Sequence, residues 1–375
     1  MQKKQQYYYD NAATSFPKPR EVAEGMQSHL QNEGGTYGRS FSGRTLETSK
    51  KVELCRETLA HFLKIKKVSN LCFTFNATAA INTVISGLDL KDKTVWVSPL
   101  EHNAVMRPLR HCEETLGTQI KILPHRHDGL LDLDSISCDQ KTALVIVNHM
   151  SNVNGLIQPI QALKEKIAEI PLLVDAAQSA GSVELYPENW NIDYVAMTGH
   201  KSLLGPTGTG ALYFKNPNSL EPFLRGGTGS RSESDEMPLE TPDRFEAGTP
   251  NVVGIVGLLE ALKHRPTPKH QKSDFLNFIK ELKKIPHLKV HSAADESNQG
   301  ELVSINSLFK DCASFGYRLY EKYEIETRVG LHCAPLAHKT LGTFPEGTLR
   351  IAPSPYHAPS DFDFLLKVFF EEGKK

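Results

Sequence analysis

Between about residues 70 and 215, short runs that are almost wholly apolar alternate with amphipathic stretches. No other feature constrains the fold as strongly. LCFTF (71–75), TVWVSP (94–99), QIKILP (119–124), TALVIVNHM (142–150), PLLVDAAQ (171–178), IDYVAMTGH (192–200) and GTGALYF (208–214) read as strands. Between them, ATAAINTVISGL and similar segments repeat apolar residues at three- and four-residue steps, the helical period. A strand that is apolar on both faces has no solvated side, so it belongs in a mainly parallel sheet with helices on both faces. Ligands of such sheets bind at the carboxyl ends of the strands. Polar residues gather at those ends here: Asn76 to Thr78, Glu101 and His102, Asn148 to Asn152, Asp175 to Gln178, and Thr198 to Lys201.

The rest of the chain frames this region. Residues 215–250 are rich in Gly, Ser, Pro and charge, and read as long loops. VVGIVGLLEALKH reads as a helix, and RPTPKHQ (265–271) breaks it at a domain boundary. The remainder has a smaller α/β pattern, with strand-like runs near 288–291 and 302–305. We expect a large domain at 20–264 and a small domain built from 1–19 and 265–375. Lys plus Arg total 43 against 44 Asp plus Glu, which leaves no general basic field for nucleic acid or anionic lipid. No apolar run reaches the roughly 18 residues of a membrane span, and no apolar stretch follows MQKKQQYYYD as in a secretory signal. A cytoplasmic protein is the expectation. The 6 cysteines form no C-x-x-C pair, so neither a disulfide framework nor a zinc site is expected. HRHDG (125–129) reads as a solvated turn, and no metal is assigned.

The glycine-rich GPTGTG (205–210) and RGGTGS (225–230) complete no phosphate-binding fingerprint and are weak signals alone. TGHKSLLGPTG (198–208) says more. Lys201 follows an apolar strand directly, and a desolvated lysine has a depressed pKa and can form a Schiff base. Taken alone, it could equally be a lysine snorkelling from a strand end. Asp175, ending the PLLVD strand, breaks the tie. Pyridoxal phosphate needs a lysine for its aldehyde, a carboxylate to hold its ring nitrogen protonated, and donors at a helix N-terminus for its phosphate. Lys201, Asp175 and the FNAT loop supply these.

YYDNAATS (8–15), FTFNATAAIN (73–82), SPLEHNA (98–104), NHMSNVNG (148–155), VDAAQSAG (174–181), TGHKSLLGPTGTGALY (198–213), RFEAGTPN (244–251) and RVGLHCAP (328–335) run in order across nearly the whole chain. In these stretches the sequence resembles the cysteine desulfurase-like enzymes of the class V aminotransferase family, close to the branch that includes selenocysteine lyases. The resemblance implies a homodimer of the pyridoxal phosphate fold type I with a seven-stranded sheet. The implied activity converts L-cysteine, or L-selenocysteine in the related lyases, to L-alanine. Other class V lyases and aminotransferases are the alternatives, and a sulfur-acceptor protein is an implied partner.

The same resemblance implies roles for individual residues. Lys201 would bond the cofactor, Asp175 would hold its ring nitrogen, His102 would stack on the ring, and Gln178 and Asn152 would approach its phenolic oxygen. Ala77, Thr78, Thr198 and His200 would surround the phosphate, with Thr249 reaching over from a second subunit. Arg350 would grip the substrate carboxylate, with Asn152 and Arg328 near the same mouth. Cys333 would be the sulfur nucleophile, although by composition alone a single cysteine is more often inert core. Relatives often carry a histidine near Ser42, and this chain has none. Ala77 stands where some relatives have a second hydroxyl.

Overall fold

The computed structural model describes residues 7–38 and 42–372. α1 (Arg20–Ser28) and α2 (Gly43–Phe62) precede β1 (Leu71–Thr74), which leads into α3 (Ala77–Gly87). β2 (Thr94–Val97), α4 (Asn103–Leu116) and β3 (Gln119–Ile122) follow, then β4 (Thr142–Asn148), α5 (Ile160–Ile167) and β5 (Leu172–Asp175). β6 (Tyr194–Thr198) and β7 (Gly210–Phe214) complete the 7-stranded sheet, in the order β1-β7-β6-β5-β4-β2-β3. All the strand-like runs of this region pair in that one sheet. β7 alone runs against its neighbours, because a helix-free return through residues 199–209 replaces the helical crossover after β6.

The apolar runs explain the layers. Along β4, Val145 and Val147 point to one core while Leu144 and Ile146 point to the other, the alternation a pleated strand imposes. β5 and β6 are buried along their whole length and β4 from Leu144 onward, so these strands carry no solvated face there. β3 is the exception among the strand-like runs. It lies at the sheet edge, and Lys121 there reaches toward Asp139 and over the Trp96 ring, which discourages further pairing on that edge.

After α6 (Val252–Lys263) come α7 (Lys272–Leu282), β8 (Leu288–His291), β9 (Val303–Ser307), α8 (Cys312–Tyr323) and β10 (Arg328–Gly330). α9 (Pro335–Thr340), β11 (Thr348–Ile351) and α10 (Pro359–Glu372) end the chain. A 4-stranded antiparallel sheet, β10-β11-β9-β8, packs with α7, α8 and α10 around a core of its own. Tyr9, from the start of the chain, is buried in that core, and Asp10 bridges to Ala352.

HRHDG differs from the sequence reading in one residue. His125 and His127 are exposed, but Asp128 is buried. Its carboxylate accepts from Leu130 N–H at 3.2 Å and Ala294 N–H at 2.8 Å, and so ties the segment to the chain after β8. Two backbone donors satisfy the carboxylate without a metal, and no metal-holding group occurs among the described residues.

A buried ion pair anchors the long loop before α6. Arg56, 1% exposed, donates to Glu246 at 2.5 Å and to the carbonyl of Leu71, while Glu246 also accepts from Phe73 N–H at 2.6 Å. Removing Arg56 leaves Glu246 as an unpaired buried charge, whereas Arg56 keeps a second partner in Glu53 at 3.1 Å. Arg56→Ala is therefore expected to destabilise the protein by about 3–5 kcal/mol. Glu246→Gln should cost less, because the amide oxygen still accepts from Phe73. Urea denaturation midpoints check the order.

Candidate functional site

The parallel ladder sets the site. Asp175 pairs with Ala196 of β6 on one side and Asn148 of β4 on the other, so the polar ends of three strands lie side by side. An open cleft of about 460 Å³ lies there. Asn76, Ala77 and Thr78 form one wall, His102 and Asn152 another, and Asp175, Gln178, Thr198, His200 and Lys201 also line it. The structure thus brings together all the expected cofactor residues except Thr249, which is exposed and does not line this cleft.

Lys201 is half-buried with its amino group enclosed. Burial pushes its pKa down to about 8, against the pull of Asp175 and with a further push from Arg350. Burial raises the Asp175 carboxyl, opposed by the N–H of Ala177 at 2.9 Å and by Lys201. The pair forms no direct salt bridge. Each group keeps its polar atoms available to a ligand between them.

The phosphate wall is a helix start. Asn76 caps α3 by accepting from Ala79 N–H at 2.9 Å, which leaves the N–H groups of Ala77 and Thr78 without helical acceptors. Gly210 makes this approach feasible: a Cβ there would stand 2.7 Å from Asn76 Cα. His200 Nδ1, Asn148 Oδ1 and Asn152 Oδ1 are buried without hydrogen-bond partners, and all three residues line the cleft. Unsatisfied polar atoms, a free helix N-terminus, a lysine and a carboxylate fit pyridoxal phosphate.

His102 caps α4, its Nδ1 accepting from Ala104 N–H at 3.0 Å. Burial, with Lys201 and Arg107 nearby, lowers its pKa to about 4, so the ring is neutral. Gln178 donates through Nε2 to the carbonyl of Ala12 at 2.9 Å, which fixes its amide in the cleft.

The second half of the site comes from the small sheet. Arg350, 3% exposed on β11, donates to Asp10 at 2.8 Å and to the carbonyl of Asn152 at 3.0 Å, while its Nε has no partner. Arg328 stands opposite it on β10 and is exposed. Cys333 is an exposed free thiol. Among the cysteines, Cys55, Cys72, Cys112 and Cys312 are buried and Cys138 is partly so. His332 and Cys333 both have left-handed backbone, φ 48° and 55°, which side chains disfavour. Two bonds from the large sheet hold them: Asn152 Nδ2 to His332 O at 2.7 Å, and Asn103 N–H to Cys333 O at 2.8 Å.

Sequence reasoning gave no role to Asp10 or Asn103, and placed Glu101 among the polar residues at the strand ends without assigning it one. Asp10 sits inside YYDNAATS, but its pairing with Arg350 spans 340 residues and leaves no local signal. Glu101 is fully buried, with one oxygen accepting from Ser98 OH and Asn148 N–H; burial raises its pKa to about 8.

The profile of the aminotransferase class-V family matches residues 7–365. A probable cysteine desulfurase of Methanothermobacter thermautotrophicus is 30% identical, covering 96% of this chain and 93% of its own. A cysteine desulfurase of Pectobacterium carotovorum is 29% identical, over 87% of this chain and 84% of its own. The apo cysteine desulfurase of Thermococcus onnurineus superposes with a TM-score of 0.89 at 27% identity, covering 98% of this chain and 94% of its own. The cysteine desulfurase CsdA of Escherichia coli gives 0.85 at 26%, with the same coverage.

His332 carries a pH prediction. Burial, aided by Arg350, lowers its pKa to about 2, while an unfolded histidine titrates near 6.5. Below about pH 6.5 the unfolded chain binds a proton that the folded ring refuses, so this contribution to stability is lost as pH falls. The loss reaches about 1.4 kcal/mol per pH unit. Melting temperatures of His332→Asn should therefore fall less between pH 7 and 5 than those of the parent. Parallel curves would refute the assignment.

Proposed function

The chain belongs to the aminotransferase class-V family, and from that premise we propose that it is a pyridoxal phosphate-dependent cysteine desulfurase. Its overall reaction would convert L-cysteine to L-alanine and leave a persulfide on Cys333. The proposal includes the domain division at 20–264 against 1–19 with 265–375, and a cytoplasmic location. No helix among the described residues is long and apolar enough to cross a membrane.

The observation that carries the reading is the double tie at Asn152. Its carbonyl accepts from Arg350, and its side chain donates to the carbonyl of His332, beside Cys333. The group suited to a substrate carboxylate and the group suited to a substrate sulfur are thus fixed to one residue at the mouth of the cleft. Pyridoxal phosphate, bound in that cleft, supplies an electron sink for bond breaking at the substrate α-carbon.

The residues divide the remaining work. Arg350 offers its unpartnered Nε to the substrate carboxylate, with Asp10 holding the guanidinium in orientation and Arg328 adding positive charge at the rim. Asp175 keeps a proton on the ring nitrogen, and Ala177 N–H keeps that carboxylate in place. Lys201, its pKa near 8, both binds the cofactor and moves the α-proton, since a base near the working pH exchanges protons fastest. His102, held neutral, would cover the ring face, while Gln178 and Asn152 would address its phenolic oxygen. Ala77, Thr78, Thr198 and His200 receive the phosphate. The thiolate of Cys333 attacks the substrate sulfur, forming a sulfur–sulfur bond as the carbon–sulfur bond breaks.

A homodimer belongs to the same reading, with Thr249 of one chain serving the phosphate of the other. Support comes from the exposure of Thr249 and from Gly248 N–H donating to Gly227 O at 2.7 Å, which joins the two polar loops into one surface.

The test is product analysis with L-cysteine. Alanine, together with one added sulfur on the Cys333 peptide, is the expected result. Cys333→Ser should lower alanine formation at least about a hundredfold while cofactor absorbance persists. Pyruvate would indicate elimination and a keto acid would indicate transamination, and either overturns the desulfurase reading. Lys201→Ala should alter the absorbance of the purified protein. A protein colourless even after incubation with pyridoxal phosphate would remove the cofactor from the proposal.

A further inference from the structure

A second groove begins where the Cys333 loop ends, outside the cofactor cleft. It is an open groove between α4 and α9, about 840 Å³ including space continuous with solvent. Asn103, whose N–H donates to Cys333 O, stands at one end, and Glu114 at the other. Asn103, Met106, Arg107, Arg110 and Glu114 are spaced three or four residues apart on α4, so they form one continuous helix face. Leu336 and Lys339 of α9 form the facing wall.

The composition of this groove is directional. Met106 and Leu336 are half-buried and make an apolar floor, while Arg107, Arg110 and Lys339 project exposed around it. Arg110 already pairs with Glu113 at 2.5 Å. Arg107 and Lys339 have no carboxylate partner among the described residues, and Lys339 lies over the Phe344 ring. Among the described residues, Glu114 is the one acidic side chain lining the groove. Free positive charge over an apolar floor, in line with an exposed thiol, complements an acidic protein segment that carries its own thiol.

We propose that the groove between α4 and α9 docks an acidic, cysteine-bearing segment of a sulfur-acceptor protein, and delivers its thiolate to the persulfide of Cys333. The proposal rests on the desulfurase reading and adds the chemical class of the acceptor. In the transfer, the acceptor thiolate attacks the terminal sulfur. A bond forms between the acceptor sulfur and that atom, and the bond from that atom to Cys333 Sγ breaks. Cys333 leaves as the thiolate, and the acceptor carries the persulfide, with no net oxidation or reduction. The apolar floor seats the segment beside Asn103. The cations steer it and fix its direction, so its thiol arrives at the Cys333 end.

The experiment uses the full-length protein with its cofactor, charged with L-cysteine. Three synthetic peptides serve as acceptors, each with one cysteine flanked by glutamates, by glutamines or by lysines. Flanking charge alters thiol reactivity, so each transfer rate is divided by the same peptide's rate with a small aromatic disulfide. The expected result is a normalised rate for the glutamate peptide roughly tenfold above that for the lysine peptide at low salt, shrinking toward parity near 0.5 M salt. The variant Lys339→Glu should shrink the preference severalfold while still forming the Cys333 persulfide and passing it to dithiothreitol normally. If that variant fails to fold, the salt series on the parent protein decides. Equal normalised rates for the acidic and basic peptides, or a preference untouched by salt, overturns the groove proposal alone. Absence of a persulfide on Cys333 in the parent overturns the desulfurase reading itself, and the groove proposal with it.

Discussion

The burial of ionisable groups at the ends of apolar strands is the constraint on which the rest of the structure depends. A lysine amine and a carboxylate removed from water are costly unless something nearby compensates them. In this chain they form no direct salt bridge, and each pulls only partly against the effect of burial on the other. Burial lowers the pKa of Lys201 and raises that of Asp175, so both are poised to respond to a ligand. The dry sheet is what makes this possible. β4, β5 and β6 have apolar residues on both faces, and only at their carboxyl ends does the packing open.

The second sheet turns this cleft into a site for a particular chemistry. Arg350, on β11, and the Cys333 loop, after β10, do not line the cleft itself but are bonded beside it to Asn152, which does. They are held there by Asn152 and Asn103, which belong to the large sheet region. The left-handed backbone at His332 and Cys333 is unfavourable on its own. Its persistence follows from the two hydrogen bonds that fix the flanking carbonyls, and from His332 Nε2 bonding Thr348 at 2.9 Å. An exposed thiol on so constrained a backbone keeps a defined position without being buried.

Much of this was legible beforehand because it rests on local pattern. The apolar runs gave the strands of the large sheet, the polar residues at their ends gave the cleft, and PLLVD next to TGHK gave Asp175 and Lys201 as neighbours. β3 was legible as a strand but not as an edge, since its partners are chosen by the order of the sheet. Asp128 was misread as solvated because the Ala294 N–H that covers it lies 166 residues away. Asp10 stood inside a recognised motif, yet its carboxylate has meaning only beside Arg350.

The sequence by itself therefore determined the elements and the chemical inventory: period 2 against period 3.6, a lysine and an aspartate at strand ends, a cysteine in a loop bounded by Gly330 and Pro335. These depend on contacts within a few residues, where side-chain spacing and backbone preference act directly. Only the tertiary structure decided the pairings that aim those groups: Asp10 with Arg350, Asn152 with His332, Asn103 with Cys333, Arg56 with Glu246. Each joins residues far apart in the chain, and each is bought with burial that no local window contains. Desolvation is a property of the packed whole, so the pKa values that tune the site exist only once both sheets are in place.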